Sequence, residues 1–186
     1  MAVLITGGAG YIGAHTAVEL LQNNEDIVIV DNFVNSKPEV LNTIRQITGR
    51  DFPFYEADLL DRDAIDRIFS ENEIDTVIHF AGLKAVGESV QKPLAYYHNN
   101  ITGTLVLCEC MQAHNVKRMV FSSSATVYGS PQYVPIDENH PLSTTNPYGT
   151  TKLFLERILS DLACADPSWS VILLRYFNLI GAHKSG

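Results

Sequence analysis

Short apolar runs rich in β-branched residues recur along the sequence, and longer segments with helical spacing separate them. The clear runs lie at 3–5, 27–30, 76–80, 119–121 and 171–174, and a weaker one lies at 52–55. Runs that are apolar on both faces and alternate with helices are typical of parallel strands covered by helices on both sides. The pattern therefore predicts an α/β chain with a doubly wound parallel sheet, the Rossmann fold.

A glycine-rich stretch from Thr6 to Gly13 follows the first run and opens a predicted helix. Glycine permits a tight turn and lets the backbone approach a pyrophosphate, and the N–H groups at the helix start attract its charge. A strand, a glycine turn and a helix in this order predict a dinucleotide site built on Gly7, Gly10 and Gly13.

Asp31 ends the second run, where a carboxylate can accept hydrogen bonds from the adenosine ribose hydroxyls. A carboxylate would repel the 2′-phosphate of NADP at close range, so the residue favours NAD. Two alternatives stay open at this point. Asp31 and Asn32 together are also an ordinary turn sequence, and Lys37 nearby is a cation that a 2′-phosphate would attract.

Tyr148 and Lys152 follow a helix start at Asn146 and Pro147, and both continue the apolar stripe of that helix. Lowering the pKa of a tyrosine by about 3 units to neutral pH needs about 4 kcal/mol. A cation about 5 Å away supplies roughly 3 kcal/mol at an effective dielectric of about 20, and a positively charged nicotinamide would add more, so Tyr148 could act as a base for an alcohol proton. The structural alternative is that Lys152 extends to solvent and Tyr148 packs. Ser122 to Ser124 follow a strand at the predicted ligand edge, where a hydroxyl can contact the same substrate oxygen.

Composition excludes several other classes of function. There are 13 Lys and Arg against 21 Asp and Glu, and the net charge of −8 opposes binding to nucleic acid. No apolar run reaches the roughly 20 residues of a membrane span. Cys108, Cys110 and Cys164 lack zinc-site spacing and are predicted to be packing residues, with no metal site. Without a recognisable leader, the cytoplasm is the expected location.

Several stretches resemble the extended short-chain dehydrogenase/reductase family of sugar-nucleotide enzymes, and within it the UDP-glucose 4-epimerases. They are TGGAGYIG at 6–13, HFAGLKAVGESVQKP at 79–93, NNITGT at 99–104, FSSSATVYG at 121–129, NPYGTTK at 146–152 and LRYFN at 174–178. The resemblance implies a reaction of galactose metabolism that interconverts UDP-glucose and UDP-galactose. Tyr148, Lys152 and Ser124 would carry the chemistry, a 4-keto sugar would form, and NAD would stay bound.

The resemblance also assigns residues to the two ligands. Ser124, Tyr148 and Asn178 would contact the UDP-sugar. His79 is expected to be a buried strand residue rather than a catalyst. Beyond the three glycines, the cofactor set comprises Tyr11 and Ile12 at the pyrophosphate, Asp31, Asn32, Phe33, Val34, Asn35 and Ser36 along the ribose, Asp58 and Leu59 at the adenine, and Phe80, Ala81, Gly82, Leu83, Lys84, Asn99, Ser122, Tyr148, Lys152 and Phe177.

The predicted domain organisation is an NAD-binding domain over 1–176 and, over 177–186, the beginning of a substrate-binding lobe that is largely missing. The resemblance further implies a homodimer built from helices near 92–113 and 147–163. Related dehydratases place an Asp-Glu pair after a threonine, whereas this chain has Ser124, Ala125 and Thr126 in that region. Two alternatives remain: an epimerase for N-acetylated or pentose UDP-sugars, and an NAD-binding module without turnover.

Overall fold

A computed structural model describes residues 1–184, and the last two residues of the predicted 177–186 segment lie outside the described residues. Within them, six strands form one parallel sheet in the order β3-β2-β1-β4-β5-β6. The strands are β1 (Ala2–Thr6), β2 (Ile27–Asp31), β3 (Phe54–Glu56), β4 (Ile74–His79), β5 (Arg118–Ser124) and β6 (Ser170–Tyr176). The predicted doubly wound sheet is confirmed, and the weak run at 52–55 corresponds to the three-residue edge strand β3.

Helices connect successive strands through residues 1–184. They are α1 (Tyr11–Gln22), α2 (Glu39–Thr48), α3 (Arg62–Glu71), α4 (Val86–Gln91), α5 (Pro93–Tyr97), α6 (Gly103–Ala113) and α7 (Pro147–Ala165). A π-helical turn over His98–Thr102 joins α5 to α6, so the segment near 92–113 is helical but interrupted by one widened turn. Widened turns of this kind are rare and occur mostly at functional sites.

Two apolar clusters cover the two faces of the sheet. Alternate residues of β2 point to opposite faces, so Val28 and Val30 belong to one cluster while Ile27 and Ile29 belong to the other. The first cluster includes buried residues of α3, α6 and α7, and the second includes those of α1 and α2. Burial of one such side chain contributes about 1.5–3 kcal/mol, so these clusters fix the sheet on which the loops are mounted.

The carboxyl ends of all six strands lie at one edge of the sheet, since every described pairing is parallel. The strand order reverses between β1 and β4, and ligands bind beside such a point in open α/β sheets. A 3-10 turn over Ala125–Tyr128 follows β5. Residues 130–146 then form a long loop without helix or strand.

The cysteines divide into two environments. Cys108 and Cys110 are buried in α6, and burial raises the pKa of the Cys108 thiol to about 12. Their predicted packing role is confirmed, but Cys164 is exposed, so the same prediction is wrong for that residue. In the part of the chain that the structure describes, no helix combines the length and hydropathy that a membrane span requires.

Candidate active site

The turn between β1 and α1 brings backbone, rather than side chains, to the ligand edge of the sheet. Gly7 has a φ of +68°, and a Cβ there would lie 2.7 Å from the Ala81 nitrogen. A Cβ on Gly13 would overlap the Gly7 carbonyl oxygen. Among the described residues, no side chain caps α1 at Gly10, so the first N–H groups and the positive dipole end of α1 stay available. This cradle fits the pyrophosphate of a dinucleotide.

A cleft of about 520 Å³ runs along the carboxyl ends of the strands, within the size range of small-molecule sites. Most of the predicted ligand residues line it, namely Gly7, Gly10, Tyr11, Ile12, Gly13, Asp31, Asn32, Val34, Asn35, Ser36, Asp58, Leu59, Phe80, Ala81, Gly82, Leu83, Lys84, Asn99, Ser122, Ser124, Tyr148, Lys152, Phe177 and Asn178. Phe33 is placed differently. Its ring packs against Phe54, with the ring centroids 5.2 Å apart, and Phe33 does not line the cleft.

Asp31 joins the glycine turn to the loop that follows β2. One carboxylate oxygen accepts a hydrogen bond from the Ala9 N–H at 3.0 Å. The other accepts from the Phe33 N–H at 2.9 Å and from the Ser36 hydroxyl at 2.7 Å. The carboxylate therefore stabilises both the glycine turn and the loop after β2, in addition to facing the cleft. In this geometry Asp31 can both stabilise a turn and face a bound cofactor, so the two interpretations of this residue are compatible.

Asn100, which sequence reasoning missed, holds the loop after β4 in place. Its side-chain oxygen accepts from the Leu83 N–H at 2.8 Å. Its amide nitrogen donates to the Leu83 carbonyl at 3.0 Å and to the Thr151 hydroxyl at 3.1 Å. The neighbouring Asn99 side chain donates to the Asn100 oxygen at 3.0 Å. The π-helical turn thereby places one asparagine against the 80–84 loop and the other at the cleft.

His79 ends β4 as a buried, neutral residue, which confirms that it is a strand residue. The Thr104 hydroxyl donates to the Asn100 carbonyl at 2.7 Å, so the Nε2–H of His79 donates to Thr104 at 2.9 Å. Its Nδ1 then accepts from the Thr6 hydroxyl at 2.7 Å. Burial, together with the positive charge of Lys152, lowers the pKa of His79 to about 3. The ring therefore links β1, β4 and α6 without carrying charge.

Helix α7 begins beside β5 and brings Tyr148 and Lys152 into the cleft. Asn146 caps the helix by accepting from the Gly149 N–H at 2.8 Å, as its sequence position predicts. Lys152 is buried, and its ammonium donates to the Ser122 carbonyl at 2.7 Å. The same ammonium lies 6.0 Å from the centre of the Tyr148 ring. Lys152 therefore faces the protein, and the alternative of a solvent-directed lysine is wrong.

The electrostatics of this pair differ from the prediction in one respect. Burial raises the pKa of the Tyr148 phenol above its ordinary value, and a hydrogen bond with Ser124 opposes the rise. Burial also lowers the pKa of Lys152 to about 8, so the lysine keeps its proton at neutral pH. In the chain by itself the lysine charge therefore does not outweigh the desolvation of the phenol. A further positive charge in the cleft would lower the pKa of the Tyr148 phenol.

The segment after β6 crosses the cleft mouth and contacts the glycine turn. The Tyr11 hydroxyl donates to the Gly181 carbonyl at 2.6 Å. Phe177 stacks on Tyr128, with the ring centroids 6.4 Å apart. Phe177 and Asn178 both line the cleft, so the two predicted ligand residues of this segment lie where a bound molecule would meet them. Among residues 1–184, no cluster of three or more His, Cys, Asp or Glu side chains offers a metal site.

Comparison with known proteins gives a consistent family assignment. The profile of the NAD dependent epimerase/dehydratase family matches residues 3–186. The chain is 66% identical over 186 residues to a UDP-glucose 4-epimerase of Bacillus subtilis, and 58% identical over 187 positions to one of Haemophilus influenzae. These alignments cover the whole chain but 55% of each relative. The chain thus spans about half the length of the curated relatives it matches.

Solved structures agree with this assignment. A UDP-glucose 4-epimerase from Bifidobacterium longum, in complex with NAD+ and UDP, superposes with a TM-score of 0.98 at 57% identity, covering 100% of this chain and 56% of that one. A UDP-glucose 4-epimerase from Stenotrophomonas maltophila, with bound NAD and formylated UDP-arabinopyranose, gives a TM-score of 0.97 at 47% identity, covering 100% and 55%. The predicted family and fold are confirmed.

Proposed function

The chain belongs to the NAD dependent epimerase/dehydratase family, and on this premise we propose that it serves the NAD-dependent 4-epimerisation of a UDP-hexose, interconverting UDP-glucose and UDP-galactose. One observation carries the proposal. Tyr148, Lys152 and Ser124 converge on one end of a cleft whose other end is formed by the glycine turn and Asp31. This arrangement places a proton acceptor beside a dinucleotide cradle, as a reversible sugar oxidation requires.

The cofactor end of the cleft suits NAD. The glycine turn and the uncapped start of α1 would hold the pyrophosphate, and Asp31 would face the adenosine ribose, where a carboxylate disfavours a 2′-phosphate. Lys37, the cation that would favour NADP, is exposed and does not line the cleft. When bound, NAD supplies an acceptor and donor of hydride, so that oxidation and reduction at the sugar C4 cancel.

The reactive end is assigned to residues of β5, α7 and the segment after β6. Tyr148 accepts the proton of the sugar 4-hydroxyl at its phenolic oxygen and returns it at the end of the cycle. Lys152 stays charged at neutral pH and is fixed by the Ser122 carbonyl, so its charge favours the phenolate form of Tyr148. Ser124 hydrogen-bonds the same sugar oxygen, and Asn178 orients the sugar nucleotide.

The test is turnover with matched tyrosine variants. UDP-galactose is added to the NAD-loaded protein, and UDP-glucose is measured by a coupled assay. Tyr148→Phe should lower kcat by about 100- to 10,000-fold, the usual contribution of a positioned acid or base, and should leave NAD binding intact. Tyr55→Phe is the control, because the Tyr55 hydroxyl bonds Glu71 outside the cleft. An equal loss in both variants would overturn the proposal.

Partial coverage of the relatives calls for a second arm. We assign residues 1–176 to NAD binding and 177–186 to the beginning of a substrate-binding lobe. The chain alone and the chain extended to the length of its relatives are compared for NAD binding and for turnover. If both forms bind NAD but only the longer form turns over substrate, the chain is an NAD-binding module that needs the substrate-binding lobe for activity. Turnover by neither would refute epimerisation.

The accepted sugar is the second open question. Among similar solved structures, one is a UDP-N-acetylglucosamine 4-epimerase from Methanobrevibacter ruminantium at 32% identity, and the Stenotrophomonas structure carries a pentose derivative. The same assay is therefore run with UDP-N-acetylgalactosamine and UDP-arabinopyranose. A higher kcat/KM for either than for UDP-galactose would replace the hexose assignment with that sugar class, while the roles of Tyr148 and Lys152 would stand.

A homodimer through the helices near 92–113 and 147–163, which are α5, α6 and α7, is part of the proposal. Large apolar side chains on these helices are exposed, including Leu94, Leu105 and Phe154. Exposed apolar groups on neighbouring helices are typical of a protein interface. Light scattering should give twice the chain mass, and Leu94→Glu with Phe154→Glu should give the monomer. A monomeric wild type would refute the assignment.

The cytoplasm is the proposed location. Cys108, Cys110 and Cys164 are all free thiols in the structure, which suits a reducing compartment. Fractionation of cells that express the tagged natural protein tests this directly. Recovery in a membrane or secreted fraction would contradict it.

A further inference from the structure

Three consecutive serines at the end of β5 are each held by a different residue of α7. The Ser122 carbonyl accepts from Lys152, the Ser123 hydroxyl donates to Glu156, and Ser124 interacts with Tyr148. The helix residues are spaced by four, so they lie on one face of α7. Two of these contacts belong to the proposed reactive pair. The third, through Glu156, has no role in the proposed function described so far.

Glu156 is 4% exposed and forms a bidentate ion pair with Arg175 of β6. The Arg175 Nε lies 3.0 Å and 3.2 Å from the two carboxylate oxygens, and its Nη2 lies 2.8 Å from one of them. With the Ser123 hydroxyl as a further donor, the carboxylate is fully hydrogen-bonded. Buried ion pairs often cost as much in desolvation as they gain, so stability alone is weak ground for their presence.

Arg175 extends the network to the loop after β5. Its Nη1 donates to the Tyr128 hydroxyl at 3.1 Å and to the Glu138 carbonyl at 3.4 Å. Tyr128 in turn stacks on Phe177 at the cleft mouth. The ion pair therefore joins β5, α7, β6 and the 125–146 loop at the edge where the reactive side chains lie.

We propose that Glu156 and Arg175 are positioning residues for the reactive site, holding the Ser122–Ser124 strand end in register against α7 so that Ser124 and Lys152 keep their places beside Tyr148. Since Ser123 lies between Ser122 and Ser124, a shift of its side chain moves both neighbours. The expected effect on kcat rests on the proposed function. The expected effect on the environment of the Tyr148 phenol does not, because it can be measured without turnover.

The experiment compares Glu156→Gln with Asp166→Asn. Asp166 directly follows α7 and pairs at 2.9 Å with Lys117, which directly precedes β5, so this ion pair lies at the opposite ends of α7 and β5 from Tyr148 and Ser124. Both variants keep the side-chain shape and remove one charge of an ion pair. The readouts are urea unfolding, the titration of the Tyr148 phenol by NMR of protein with ¹³C-labelled tyrosine, and kcat and KM for UDP-galactose. The Tyr148 signal is assigned with Tyr148→Phe.

Glu156→Gln should lower kcat by about 10- to 100-fold with KM nearly unchanged, because misplacement by about 1 Å costs up to about 100-fold. It should also shift the phenol titration of Tyr148. Asp166→Asn should change neither. If the two variants behave alike in kcat and in the Tyr148 titration, Glu156 is merely structural and the proposal is overturned.

If Glu156→Gln does not fold, Ser123→Ala is used as the second variant for the same test. It removes only the link between the strand end and the intact ion pair, and it should reproduce the shift of the Tyr148 titration at a smaller loss of stability. An unchanged titration in Ser123→Ala would overturn the proposal. The expected titration shifts without turnover by either the chain or its extended form would refute the epimerase function and leave the positioning role standing.

Discussion

Replacing the buried Lys152 with methionine is expected to leave the fold as stable or more stable at neutral pH. Burial lowers the pKa of this lysine from 10.5 to about 8, which corresponds to a penalty of roughly 3 kcal/mol on the charged folded form at about 1.4 kcal/mol per pKa unit. Lys152→Met removes that penalty. It also removes the hydrogen bond to the Ser122 carbonyl, and bonds from charged donors are worth about 1.5–3 kcal/mol. The net gain at neutral pH is therefore between zero and about 1.5 kcal/mol.

The pH dependence separates the two contributions. The unfolded chain keeps the lysine proton up to about pH 10.4, whereas the folded chain releases it near pH 8. Between these values the unfolded state binds more protons, so the wild-type free energy of unfolding rises with pH by up to about 1.4 kcal/mol per pH unit relative to the variant. The stability of Lys152→Met relative to the wild type should therefore be greatest below about pH 8. The difference in free energy of unfolding should shift by roughly 3 kcal/mol in favour of the wild type by about pH 10.4.

The assay is urea unfolding followed by the fluorescence of Trp169, the single and buried tryptophan, at several values between about pH 7 and pH 10. Lys117→Met is the control, because Lys117 is partly exposed and paired with Asp166, so its loss should cost up to about 1 kcal/mol. Both comparisons are repeated in Tyr148→Phe, which removes a titrating neighbour. A difference between wild type and Lys152→Met that stays flat across this range would refute the reasoning.

Three further outcomes are expected. Gly7→Ala and Gly49→Ala impose the same backbone strain at φ near +68°, but only Gly7→Ala also places a Cβ against the Ala81 nitrogen. Gly7→Ala alone should therefore abolish NAD binding in a fluorescence titration. Equal effects of the two variants would contradict this. Tyr11→Phe removes the hydroxyl that donates a hydrogen bond to the Gly181 carbonyl. It should speed NAD dissociation, measured by stopped flow, by about 2- to 10-fold. An unchanged dissociation rate would contradict this prediction. Asn100→Ala should cost about 1–3 kcal/mol in urea unfolding, because it leaves the Leu83 backbone groups unpaired; a cost near zero would contradict that account.

Most of the fold could be predicted because it depends on local pattern. The two-faced apolar run of β2 is enough to place it inside a parallel sheet, and both faces of the strand are buried in the structure. The edge strand β3 gave a weak signal because its residues are only partly buried or exposed, so hydrophobicity marks it poorly. The π-helical turn at 98–102 escaped prediction, since its extra residue per turn leaves no clear mark on the apolar spacing.

The site was predictable where motif and element coincide, as at the glycine turn and at Tyr148 with Lys152. Asn100 and Glu156 were missed because their partners are remote in sequence, with Thr151 51 residues from Asn100 and Arg175 19 residues from Glu156. One signal was available for Glu156. It follows Lys152 by four residues on a helix whose buried face already carried a lysine, and a second charge on that face indicates a buried partner.

The electrostatics of Tyr148 connect these observations to control of the reaction. Burial raises the pKa of the phenol, and Lys152 itself loses its proton near pH 8, so the isolated pair is a weak base throughout the neutral range. Raising the pH does not remedy this, because the lysine charge disappears before the phenol ionises. A positive charge brought by a ligand would therefore strengthen Tyr148 as a base. Under the proposed function, Tyr148 would then take up the sugar proton only when the cofactor end is filled, so the hydride acceptor would be in place whenever the sugar hydroxyl loses its proton.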